Sequence, residues 1–180
     1  MAWYALPRDL SLSPTGKLLQ QPVREAIKLR KQQLPPPSSS SSSSPVALAG
    51  GSQVELLAHC KRPASGWPAS GILAFQTLKT TAQELTLGYE FSSTGEAASA
   101  TQINGFADVP AALSVLGARK DVTPPLPDLM AGTSLELRVF VDGHMAESFY
   151  GGHSVITTIT SNTVPSANVG SAFGGSNSSL

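Results

Sequence analysis

Residues 134–160, SLELRVFVDGHMAESFYGGHSVITTIT, decide the fold. Leu135, Leu137, Val139 and Val141 alternate with Glu136, Arg138 and Phe140, the two-residue period of a half-buried strand. Asp142-Gly143 then supplies the pair favoured in a two-residue hairpin loop. His144 to Tyr150 runs back, Gly151-Gly152 turns the chain again, and His153 to Thr160 is rich in β-branched residues. The stretch predicts a three-stranded antiparallel meander. With two-residue loops at both turns, Arg138 lies opposite Glu147 and Phe140 opposite Met145. The charged pair would contribute between a few tenths and about 1 kcal/mol.

Outward from the meander, further strands are predicted at residues 53–60, 71–78, 84–91 and 101–107. The cleanest alternation is Leu85, Leu87, Tyr89 and Phe91 against Thr86, Gly88 and Glu90. Turn clusters at 63–66 and 92–95 separate them. Residues 108–132 read as irregular, because Pro124, Pro125 and Pro127 argue against a central strand. The segment 34–45, LPPPSSSSSSSP, is low in complexity and is expected to be a solvated linker. Residues 161–180, rich in Ser, Asn and Gly, are expected to be a flexible tail. A short helix is predicted over 22–33, with Pro22 in its first turn. The organisation is therefore a junction segment (1–33), a linker (34–45), an antiparallel β-sandwich (46–160) and a tail (161–180). The fold class is all-β.

Composition narrows function by exclusion. Twelve basic and twelve acidic residues give a formal charge of zero, which leaves no electrostatic footprint for nucleic acid. A lone cysteine, Cys60, precludes an intramolecular disulfide and the spaced ligand sets of zinc sites. No apolar run is long enough to span a membrane, and MAWYALPRDL has neither the basic nor the apolar region of a signal peptide. Asn177-Ser178-Ser179 is a formal glycosylation sequon, of consequence only in a secreted chain.

Two ordered sets of residues resemble glycoside hydrolase family 32, the family of invertases and fructan-cleaving enzymes. Leu137-Arg138-Val139-Phe140-Val141-Asp142, then Glu147-Ser148-Phe149, Gly151-Gly152 and Ile156-Thr157, are similar to a strand–turn–strand signature of that family's C-terminal β-sandwich. Leu6-Pro7-Arg8-Asp9-Leu10, Gly16-Lys17-Leu18, Gln21-Pro22-Val23 and Leu29-Arg30 resemble the junction between that sandwich and the preceding five-bladed β-propeller. The resemblance implies that retaining glycoside hydrolysis, with one carboxylate as nucleophile and another as acid/base, belongs to the propeller. The family's N-D-P-N-, R-D-P- and E-C-like motifs do not occur here: Arg8-Asp9 is followed by Leu10, and Cys60 follows His59. No catalytic, cofactor-binding or metal-binding residue is carried over. The chain on its own is expected to be inert, and whether it is an enzyme in a longer form stays open. The implied partner is the propeller, in cis or in trans. β-Fructoside sugars and a second copy of the chain are further candidates. Residues 3–12 are expected to form a junction strand with no sheet of its own to join.

Ordinary structural roles account for most of the side chains that invite a chemical reading. Glu147 reads as Arg138's cross-strand partner rather than an acid/base, and Asp142 as a hairpin residue. His59, His144 and His153 would form a metal site only if the fold assembled them, yet His144 and His153 fall at opposite ends of the meander. A Ser-His-Asp triad lacks any G-x-S-x-G elbow. Trp67, between Gly66 and Pro68, and Tyr89 are the candidates for a sugar-stacking platform, and Trp3 for contact with the propeller.

Overall fold

The computed structural model describes residues 5–31, 46–48, 53–77, 84–93, 101–114, 116–160 and 169–173. Its strands are β1 (Arg8–Leu12), β2 (Leu18–Pro22), β3 (Val46–Leu48), β4 (Gln53–Lys61), β5 (Gly71–Thr77), β6 (Leu85–Ser93), β7 (Thr101–Val109), β8 (Arg119–Val122), β9 (Ser134–Asp142), β10 (Met145–Tyr150), β11 (Ser154–Ile159) and β12 (Val169–Phe173). One helical turn, α1 (Pro127–Ala131), precedes the meander. A four-stranded sheet of order β11-β10-β9-β4 faces a six-stranded sheet of order β3-β12-β5-β6-β7-β8, and every pairing is antiparallel. This is the predicted all-β sandwich. β1 and β2 form a separate ribbon.

The core is built by the predicted alternation. Leu85, Leu87, Tyr89 and Phe91 of β6 and Leu135, Leu137, Val139 and Val141 of β9 are all buried in one cluster. Each such side chain removed from water stabilises the fold by roughly 1.5–3 kcal/mol. Two tyrosines cross the core in opposite directions. Tyr89, on the six-stranded sheet, donates to the Glu136 carbonyl of β9 at 2.6 Å. Tyr150, on the four-stranded sheet, donates to the Phe106 carbonyl of β7 at 2.6 Å and accepts from Ser148 at 2.9 Å. Their rings meet edge to face, with centroids 5.4 Å apart. Burial raises both phenol pKa values above the ordinary range. The Tyr150 ring lies on Gly105, where an added Cβ would fall 2.6 Å from ring atoms, so only glycine fits.

The hairpin register departs from expectation. Asp142 pairs with Met145, Phe140 with Glu147 and Arg138 with Phe149, so the loop is Gly143-His144 rather than Asp142-Gly143. Asp142 is kept in the ladder by Gln53 of β4, whose Nε2 donates to Oδ1 at 2.8 Å. Thr160 closes the other side, its N–H and hydroxyl both donating to the His144 carbonyl. The slip is of two residues, which leaves every side chain on its predicted face. The predicted Arg138–Glu147 pair is nevertheless not made.

Four other expectations are revised. The segment expected to lack a sheet, residues 3–12, contributes β1, which pairs with β2 from Arg8↔Pro22 to Leu12↔Leu18. The helix over 22–33 is a 3-10 helix confined to Arg24–Leu29. Within 108–132, read as irregular, β8 forms at the edge of the six-stranded sheet, where prolines just beyond it remove no ladder hydrogen bond. Within 161–180, β12 inserts between β3 and β5. The 34–45 linker and the remainder of the tail, with its sequon, lie outside the described residues.

Replacing Gly105 by alanine is expected to cost about 1–3 kcal/mol by overpacking against Tyr150. Tyr150→Phe, which strands the Phe106 carbonyl, is expected to cost roughly 1–3 kcal/mol. Urea denaturation of the two variants checks both; a midpoint unchanged in either would contradict the packing described.

Candidate functional site

The outer face of the four-stranded sheet is closed to solvent along β10, while Leu57 of β4 and Ile159 of β11 on the same face stay 43% and 37% exposed. Met145, Glu147 and Phe149 project from β10 on that face, yet all three are buried. The N-terminal segment covers them: the chain from residue 5, the ribbon β1–β2 and the 3-10 helix make a third layer. Its anchor is Glu147, which is 0% exposed. Oε2 accepts from the Leu6 backbone N–H at 2.6 Å, and Oε1 accepts from Arg8 Nη2 at 2.6 Å and from Thr157 Oγ1 at 2.9 Å. Arg8 donates also to Gln20 and lies 5.8 Å from the centre of the Phe149 ring. The guanidinium thus lies over an aromatic face while one of its nitrogens neutralises a carboxylate. A carboxylate so enclosed has no access to a substrate.

A second seam holds the far end of the ribbon. Asp128 of α1 accepts from Lys17 Nζ at 3.1 Å and from Thr15 Oγ1 at 3.3 Å, both at the β1–β2 turn. His153, in the β10–β11 turn, brings Nδ1 within 3.7 Å of the same carboxylate. The Lys17 hydrogen bond holds the Asp128 carboxyl below its usual range. Between these seams, the backbone N–H of Gln20 donates to the Gly152 carbonyl at 2.7 Å. Gly151 and Gly152 take φ of 56° and 79° to make that turn, a backbone region that favours glycine.

At the other edge, Arg30 closes the third layer by two hydrogen bonds to Glu55 of β4. Arg138, expected to face Glu147, instead stands 3.7 Å from Glu55 and 3.4 Å from Glu136, and His59 approaches Glu136 at 3.7 Å. The result is a row of alternating charge along the sheet.

Placed in the fold, the remaining candidates separate. His59 lies on β4, while His144 and His153 lie in turns at opposite ends of β10. Among the described residues, no group of three or more His, Cys, Asp or Glu side chains could hold a metal ion. Tyr89 is fully buried, so it offers no face to a sugar. Trp67, the other candidate for a sugar-stacking platform, is half-buried and stacks on Phe91 with centroids 6.0 Å apart. Trp3 lies outside the described residues. Burial raises the Cys60 thiol above its ordinary pKa, which keeps it protonated and unreactive at neutral pH. No described helix is long and apolar enough to cross a membrane.

The exposed residues of the third layer include a set of large apolar side chains. Leu10, Leu12 and Leu18 are 64%, 70% and 50% exposed, and Leu12 pairs directly with Leu18 across the ribbon. Ile27 and Leu29 of the 3-10 helix are exposed as well. Sequence reasoning missed the roles of Arg8, Lys17 and Asp128, whose partners lie more than a hundred residues away along the chain.

The chain matches the family model described as "Glycosyl hydrolases family 32 C terminal" over residues 19–173. Fructan 1-exohydrolase IIa from Cichorium intybus superposes with a TM-score of 0.68 at 17% identity, covering 94% of this chain and 40% of that one. A variant of that enzyme in complex with 1-kestose gives 0.65 at 18% identity, covering 93% and 40%. Sucrose-6-phosphate hydrolase from Lactobacillus gasseri gives 0.53 at 17% identity, covering 92% and 33%. At such identities the superpositions establish the fold. This chain therefore spans about 40% of the length of the exohydrolase. No curated protein matches it in sequence.

Glu147→Gln, which keeps the shape and removes the charge, is expected to destabilise by roughly 1–3 kcal/mol, because Arg8 is left without its counter-ion. Proteolysis should then cut first in the N-terminal layer, and uncut Leu6–Lys17 in the variant would contradict the anchor. Asp128 makes the second seam sensitive to pH. Its folded pKa is depressed, so its contribution is complete above the ordinary carboxyl value of 3.8 and disappears as pH falls through the folded value. Protection of the Lys17 and Leu18 amides, taken as exchange relative to the intrinsic rate at each pH, should fall on acidification in the native chain and lose that pH dependence in Asp128→Asn.

Proposed function

The chain belongs to glycoside hydrolase family 32 through its C-terminal module, and from that premise we propose that it is a non-catalytic β-sandwich supporting a β-propeller that cleaves sucrose or a related β-fructoside. The observation that carries the reading is the Glu147 anchor. It fixes the junction segment across the sandwich and, in doing so, presents Leu10, Leu12 and Leu18 outward on one ribbon. Contiguous exposed leucines on a rigid ribbon make an interaction surface. The partner is the propeller, joined in cis or associated in trans.

The same geometry supports an absence of chemistry within the module. A glycosidase requires two carboxylates flanking the scissile bond, one of them free to give up a proton. Glu147, which lies in the densest family motif, is sealed and fully engaged. Asp128 and Glu55 stand in ion pairs across structural seams, and Glu136 in one with Arg138 of its own strand.

Two measurements test this. Incubated with sucrose, 1-kestose or inulin, the purified chain is expected to release no reducing sugar, and release above the blank overturns the inert reading. Calorimetric titration with a family 32 propeller produced without its own sandwich should give heat with the native chain. The Leu10→Ser/Leu12→Ser/Leu18→Ser variant should give at least tenfold weaker binding, about 1.4 kcal/mol. Equal binding by the variant, or none by the native chain, overturns the docking reading.

A further inference from the structure

A cavity of about 130 Å³ lies between the 3-10 helix and strands β4 and β9. We propose that it binds a small oxyanion, a carboxylate or phosphate group, through Arg138 and Arg24. Three arginines, Arg24, Arg30 and Arg138, line it against one carboxylate, Glu55. That carboxylate is already engaged: Oε2 accepts from Arg30 Nε and Oε1 from Arg30 Nη2. Arg138 is left 3.7 Å from Glu55 Oε1, beyond hydrogen-bond reach. Its other acidic neighbour, Glu136, stands 3.4 Å from Nη2, long for a charged hydrogen bond, and is approached by His59 as well.

The Arg138 guanidinium is therefore short of acceptors. Its Nε is buried and has no hydrogen-bond partner among the described residues. The side chain as a whole is only 22% exposed, so little water reaches it. A buried donor left unpaired is costly, and one beside a cavity calls for an acceptor there. Arg24 opens the 3-10 helix and makes no ion pair among the described residues. Three properties of the acceptor follow. It is anionic, because Arg24, Arg30 and Arg138 outnumber Glu55 and Glu136. It is small, because the cavity falls well below the roughly 300 Å³ at which sites for organic ligands begin. It offers two oxygens side by side, which the guanidinium fork matches and a halide does not. Val23, Ile27 and Phe140 add apolar surface around the charges, which strengthens such bonds. Leu10, Leu12 and Leu18 do not border this cavity, so the assignment is independent of the leucine face and of what that face contacts.

The experiment is a chemical-shift titration of the full 180-residue chain, in which inorganic phosphate or acetate replaces chloride at constant ionic strength. The Arg138 Nε–H resonance is expected to shift saturably at millimolar anion, together with the backbone amides of Ala26 and Glu55. Arg138→Lys, which keeps the charge and loses the fork, should weaken binding at least tenfold as read at those amides. Arg24→Met, at an exposed position without a partner among the described residues, should do the same and guards against a folding defect in the first variant. Tighter binding of phosphate supports the site as one for a phosphate group, and tighter binding of acetate supports it as one for a carboxylate. Absence of saturable shifts at Arg138 Nε–H, an equal response to chloride alone, or unchanged affinity in Arg24→Met would each overturn the assignment.

Discussion

One buried carboxylate organises the outer half of this protein. Glu147 sits at the centre of a sheet face that would otherwise be solvent-exposed, and an ionised group there, stripped of water, must be met by compensating donors. The N-terminal segment supplies them: a backbone N–H from Leu6 and a guanidinium from Arg8, joined by the Thr157 hydroxyl from the neighbouring strand. The requirement is mutual. Without the segment the carboxylate lies bare among Phe140, Phe149 and Met145; without the carboxylate the segment has no fixed register on the sheet. A motif that invites a catalytic reading thus acts as the fastener between a sandwich and the chain that leads into it.

The interior follows a different rule. There the two sheets are joined by side chains that are apolar along their length and polar at the tip. Tyr89 and Tyr150 reach across in opposite senses, each placing its hydroxyl on a carbonyl of the facing sheet. Such bonds add direction to packing that is otherwise non-directional, and they hold the sheets in one relative alignment. The glycine under Tyr150 is the space that this arrangement needs.

The sequence made the sandwich legible because period-2 patterning survives every ambiguity of loop length. Leu135 to Val141 and Leu85 to Phe91 are assigned to the core by alternation alone, and sliding the hairpin by two residues changes none of these faces. It does change partners. The choice between Asp142-Gly143 and Gly143-His144 as the loop rests on Gln53 and Thr160, neither of which belongs to the hairpin. The third layer was illegible for the same reason on a larger scale: Arg8 reads as an ordinary junction residue until the fold carries it to Glu147. β8 and β12 are short, and their patterns of small and charged residues carry little periodicity. Only the neighbouring strands make strands of them.

The order of the six-stranded sheet places a condition on how the protein reaches its native state. Among the described residues β3 is hydrogen-bonded to β12 alone, and β12 lies between it and β5. The first strand of the sandwich to leave the ribosome therefore has no partner in the sheet until Val169–Phe173 has also emerged. Growth of the sheet from β5 through β8 can proceed by successive hairpins, but this edge is completed last, by a pairing of high contact order. The nascent chain carries an open β5 edge throughout, so synthesis itself passes through a species with an unpaired strand.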